Sequence, residues 1–208
     1  VRLPIGAPSR VLEAAEVGAR ATPPAWVAHF GPQPPIDAPW RRDPLLRGRW
    51  HKQFPDDLQV LVHDGEPRRT QRAAEGCWVR VDASEPAPAR PSATSDGVAI
   101  DRSAVVYVGT LLNQPHALTT LAQGDRVRFV ADPGGRHPLM VTAAYLAERA
   151  AWTSAPCPRC GLGEGLDPPS VMAATRFPDA AVAVEAFTAH CAACGPPSAL
   201  TFSRIAPA

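Results

Sequence analysis

Two short stretches, CPRCG at 157–161 and CAACG at 191–195, place four thiols in pairs that could share one ion. In a C-x2-C-G knuckle the spacing lets both thiolates face one point, and the following glycine can take the left-handed backbone that closes the turn. Cys157, Cys160, Cys191 and Cys194 together offer the closed tetrahedral shell of structural zinc. The 30 residues between Cys160 and Cys191 exceed the roughly 15 to 20 of an ordinary ribbon, and PPSVMAATRF at 168–177 reads as a small helix placed in that gap. Two other readings stand beside this one: a redox or disulfide role for one pair, and thiols with no shared role. A fully cysteine-ligated zinc keeps no position for water, so the cofactor expected here is structural and no catalytic residue is assigned. His190 is a neighbouring spare donor, better suited to supporting a ligand or facing solvent than to ligation.

The remaining polar clusters are weaker. Asp56, Asp57, His63 and Asp64 bracket one strand, where a histidine beside carboxylates could act as a base; its ends lie roughly 20 Å apart, so turn capping is the expected job. Asn113, Gln114 and His116 sit together at a strand end and read as a helix cap with surface polar groups, or as a binding surface with Trp78. Gly134, Gly135, Arg136 and His137 could cradle an anion. WRRDPLLRGRWHKQF at 40–54 carries five Arg or Lys residues against one Asp, interleaved with Trp40, Trp50 and Phe54. That mixture can track phosphates and stack bases, or it can be a solvated linker whose rings staple it to the domain. Cys77 alternates with Trp78 in a strand and reads as a buried apolar residue. No nucleophile elbow, phosphate loop or histidine-based catalytic metal motif is present.

Composition narrows the classes. The chain has 208 residues, 45% of them hydrophobic and 20% charged, which allows one ordinary core and a small appendage needing its own staple. Twenty-five prolines and fifteen glycines break it too often for long helices. The net charge of +1 supplies no chain-wide positive field to gather a polyanion. No apolar run approaches the ~18 residues a membrane helix needs, so no membrane partner is expected. A cytoplasmic location is expected, where the cysteines stay reduced.

The elements that must position these residues are short. Ser9 to Ala19 suits one helix in a Pro-rich extension over 1–49, whose Trp26, Phe30 and Trp40 either wrap onto the main domain or belong to a tail. DLQVLVHD at 57–64 and CWVRVD at 77–82 alternate as strands, and 84–97 is low in complexity and reads as an excursion between strands. Residues 98–112 continue the sheet, 113–123 suit a short helix, and RVRFV at 126–130 is a strand. LMVT at 139–142 gives a short strand, with Thr142 capping the helix AAYLAERAA. The fold class that follows is α+β, a mainly antiparallel sheet or small half-open barrel with short helices and a small zinc-knuckle segment.

WVRV at 78–81 followed by YVGTLLNQPHALTTLAQGDRVRF at 107–129 resembles a widespread bacterial module, domain of unknown function 2314. Trp78, Gly109, Asn113, Pro115, Gly124 and Asp125 match its pattern, over roughly 56–142. The insert at 84–97 departs from the compact pattern, and the four-cysteine segment looks like a subfamily addition. The resemblance implies no established activity; related modules are suspected immunity or interaction proteins. The sequence thus divides into an extension (1–49), a β-rich module (50–152) and a four-cysteine segment (153–208). The functional expectation is a non-enzymatic interaction protein with a protein partner. Alternatives are a nucleic-acid-associated zinc-ribbon protein using 40–54, and a hydrolase using His63 or His116.

Overall fold

Alternation of apolar and polar residues builds the first half of the fold. In β1 (Asp57–Val62), Leu58, Val60 and Val62 point inward and are fully buried, and in β2 (Glu75–Pro86) Cys77, Val79 and Val81 do the same. β5 (Val105–Leu111) contributes Tyr107 and Leu111, and β6 (Arg126–Val130) contributes Val127 and Phe129. The Tyr107 and Phe129 rings stack at 5.4 Å in this core. These strands and β7 (Leu139–Met140) form a closed barrel of order β1-β2-β5-β6-β7 in the computed structural model, which describes residues 35–65, 72–87, 90–92, 100–102 and 105–205. Four of the pairings are antiparallel, and an odd number of up-and-down strands makes the closing pair, β7 with β1, parallel. That seam is one register pair, Leu61 with Leu139. A bulge between Val81 and Ala83 supplies the bend that β2 needs to wrap around the barrel.

Three expectations are revised here. β2 continues to Pro86, and β3 (Arg90–Ser92), within the supposed excursion, pairs with β4 (Ile100–Arg102), from the 98–112 stretch expected in the main sheet, as a two-stranded ribbon outside the barrel. Residues 113–123 form turns rather than a helix, because the Glu75 carboxylate of β2 accepts the backbone N–H groups of His116, Ala117 and Leu118 at 2.7–2.9 Å. The barrel is closed rather than half-open. The helix expected at Ser9–Ala19, with Trp26 and Phe30, lies outside the described residues.

Part of the Pro-rich extension belongs to the barrel. A 3-10 turn at Pro39–Arg42 seats Trp40 in the core, Leu46 is fully buried beside it, and Trp50 bridges to Leu58. Arg41 donates from Nε and Nη2 to the two Asp56 oxygens, each at 2.7 Å.

The second half is a small sheet of order β8-β10-β9, with β8 at Trp152–Ala155, β9 at Ala186–His190 and β10 at Ala199–Arg204. Helix α1 (Ala143–Arg149) precedes it, and the Thr142 hydroxyl accepts the Tyr145 N–H at its start as expected. Helix α2 (Pro169–Arg176) fills the long gap between the cysteine pairs. The sheet's core is aromatic: Phe187 meets Trp152 edge-on at 5.7 Å and stacks on Phe202 at 5.3 Å. Leu139 of the barrel seam packs into this second core, with Cys157 and Cys191. Architecturally the protein is α+β with mainly β content, and among the described residues no helix is long and apolar enough to cross a membrane.

Candidate metal centre

The two knuckles leave the small sheet at the same end. Cys157 follows β8, Cys191 directly follows β9, and each opens a tight turn: Gly161 N–H donates to the Cys157 carbonyl at 2.8 Å and Gly195 N–H to the Cys191 carbonyl at 2.9 Å. Both glycines are left-handed, with φ of 73° and 64°, as the C-x2-C-G pattern requires. At Gly161 a side chain is also excluded by space, since a Cβ would run into the Gly134 carbonyl.

The four sulfurs converge within 4.8 Å of one another, and Cys160 Sγ lies 3.4 Å from Cys191 Sγ. A tetrahedron of thiolates at a metal–sulfur distance of ~2.3 Å has edges of about 3.8 Å, so the donor set fits one ion. All five cysteines are free thiols, and Cys77 lies apart in the barrel core. Burial pushes the Cys157 thiol up, but the backbone N–H groups of Cys160 and Arg159 and its thiol neighbours outweigh this and bring it below the ordinary thiol. Burial raises Cys160 and Cys191. One thiol inclined to ionise beside others that resist it is a set that an ion would bring to full deprotonation. His190 is exposed and stands outside the cluster.

The other sequence-selected residues are dispersed. His63 is buried, with Nε2 at 2.7 Å from the Met140 carbonyl and Nδ1 accepting the Gly65 N–H at 3.0 Å, so both ring nitrogens hold backbone in place. Asp57 pairs with Arg80 at 3.2 Å on the outside of the barrel. Asn113 Oδ1 accepts the Trp78 N–H at 2.7 Å, and Gln114 donates to the Leu121 carbonyl at 3.0 Å while accepting the Gln123 N–H at 3.1 Å. These amides therefore shape the 112–125 loop, whereas the His116 side chain is exposed and Trp78 is half-buried.

Glu75 organises this loop, and nothing in its local sequence marks it. Desolvation pushes its carboxyl up, but the three backbone donors outweigh this and hold it below the usual carboxylate range. A depressed folded-state pKa contributes stability that is present above the unfolded value of ~4.3 and is lost as pH falls through the folded value. Glu75→Ala is expected to cost about 1 kcal/mol at pH 7, the low end for orphaned donors because the site is open to water. The loss should shrink between pH 5 and pH 3; thermal melts of both proteins across that range check it, and a constant difference would refute the assignment.

The knuckle loop also contains a buried ion pair missed in the sequence. Arg149 Nη2 of α1 donates to Glu164 Oε1 at 2.7 Å, and Tyr145 Oη donates to Glu164 Oε2. The signals were faint: Tyr145 and Arg149 share a helix face at i, i+4, and Glu164 is the lone charge in GLGEGL. Comparison with protein-family models, with curated proteins and with solved structures finds no match to this chain, so its functional reading rests on its own residues.

Proposed function

We propose that this chain is a non-enzymatic binding protein whose barrel presents the partner surface and whose four cysteines hold a structural zinc ion. The observation that carries the reading is the closed donor set: Cys157, Cys160, Cys191 and Cys194 converge, and among the described residues no histidine or carboxylate joins them. Four thiolates fill a tetrahedral shell, so the ion has no open position at which to activate water and instead ties two loops together. Sulfur-only ligation favours zinc among the common divalent ions, and it requires the reducing conditions of a compartment such as the cytoplasm. His63 supports this reading too, because both its nitrogens hold backbone groups.

Metal analysis of protein purified without added metal, with a thiol count before and after chelation, tests it. One zinc per chain and four thiols that become reactive on chelation are expected. Metal-free protein whose Cys157/Cys160 or Cys191/Cys194 pair cycles between thiol and disulfide would replace the structural ion with a redox role.

A further inference from the structure

The 40–59 stretch sorts its charges by sign. Asp43 accepts the Tyr107 hydroxyl at 2.6 Å and the Leu45 N–H at 2.9 Å, Asp56 is buried against Arg41, and Asp57 is buried against Arg80. Every acidic residue of the stretch is thus engaged by the fold, while Arg42, Arg47 and Lys52 are exposed. Arg49 is drawn away as well, donating to the Asp132 carbonyl at 2.8 Å.

The rings sort in the same way. Trp40 is buried, and Trp50, partly buried, packs against the barrel core. His51, Phe54 and Trp78 instead form a surface cluster: His51 meets the Trp78 ring edge-on and the Phe54 ring at a tilt, each at 4.9 Å, and Phe54 is 42% exposed. The Gln53 N–H donates to His51 Nδ1 at 3.1 Å and so fixes the middle ring's orientation. The cluster is assembled from two places in the sequence, 51–54 and the outward face of β2.

From this aromatic cluster and the exposed cations of one sign that neighbour it in the chain, we infer that the surface of His51, Phe54 and Trp78, flanked in sequence by Arg47 and Lys52, binds single-stranded nucleic acid. Unpaired bases offer flat faces to the rings, and the phosphates between them meet the cations. The cluster lies on the barrel wall, and among the described residues no long helix stands beside it to enter a duplex groove, which favours a single strand. This names the partner of the binding surface proposed above and rests on that reading. It differs from the sequence expectation for 40–54 in its rings, because folding withdraws Trp40 and Trp50 and substitutes His51 and Trp78.

Fluorescence anisotropy with a labelled oligothymidylate 12-mer and the zinc-loaded full chain tests the inference. Two phosphate contacts, at Arg47 and Lys52, give a log–log salt slope of about −1.4, hence roughly 7-fold weaker binding at 200 mM than at 50 mM salt. Phe54→Ala should weaken binding about 5- to 100-fold while Phe54→Tyr restores it. Arg47→Gln with Lys52→Gln should flatten the slope to about zero. Zinc-loaded protein with native circular dichroism that binds no oligonucleotide at 50 mM salt overturns this inference and leaves the structural zinc untouched. Metal-free protein that binds with the predicted Phe54 dependence does the reverse. Equal binding of a poly-glutamate peptide with the same Phe54 dependence, or indifference to Phe54→Ala, also overturns it.

Discussion

Chelation of the proposed ion is expected to unfold the β8-β10-β9 sheet and to open the barrel at its β1–β7 seam. Structural zinc in small cysteine sites contributes about 10–16 kcal/mol, comparable with the whole stability of a domain. Two of the small sheet's buried core members, Cys157 and Cys191, are themselves proposed ligands, so losing the ion also disturbs that core. The seam follows because β7 has two residues, pairs with β1 at one position, and turns Leu139 into the sheet's core rather than the barrel's. Its hydrogen bond, from the Leu61 N–H to the Pro138 carbonyl, is 2.8 Å long. Even about 3 kcal/mol of the lost metal energy reaching the seam would raise exchange there by roughly a hundredfold. Amide exchange before and after chelation should therefore lose protection at Leu61 and Phe202 first, with Leu111, in β5 across the barrel, retaining more. Cys157→Ser should reproduce the pattern without chelator. Equal protection at Leu61 in both states would show that the barrel closes without help from the knuckles.

Arg149→Met is expected to destabilise the protein by about 3–5 kcal/mol, lowering its melting midpoint by about 10 °C. Arg149 and Glu164 are both almost completely buried. Removing the guanidinium takes the charge partner from a buried carboxylate that also accepts the Tyr145 hydroxyl. The pair joins α1 to the loop that carries the first knuckle, where Gly163 N–H also donates to Asp132 at 2.7 Å, so the damage should extend to the metal loop. The double variant Arg149→Met with Glu164→Leu should recover most of the loss, because it removes both desolvation penalties at once. A double-mutant cycle in urea measures this; a double variant as unstable as the sum of the two single ones would mean that the pair's role is packing rather than charge compensation.

Local pattern made much of this architecture legible in advance. RVRFV at 126–130 forms β6 and Thr142 caps α1, since alternation and a capping hydroxyl act between near neighbours whatever the rest of the chain does. The C-x2-C-G pairs likewise carry their own turn geometry, down to the left-handed glycines. The expected helix over 113–123 failed for the opposite reason: Glu75, some 40 residues earlier, offers the loop's N–H groups a carboxylate that no local propensity can register. Strands β8 to β10 show period-2 burial, but they are short and contain many small residues, and their alternation gains meaning only once Phe187 and Phe202 face each other across the sheet.

What the sequence determined alone is thus the thiol set, the strand-rich class and the helices α1 and α2, each resting on contacts within a few residues. Only the tertiary structure decided which strands close the barrel, which carboxylates turn inward and which rings stay on the surface. Those outcomes depend on partners distant in the chain: Asp43 meets Tyr107, Asp56 meets Arg41, His51 meets Trp78, and Leu61 meets Leu139. Burial and pairing select among side chains that look equivalent in sequence, because the free energy of each depends on neighbours that only the completed fold supplies.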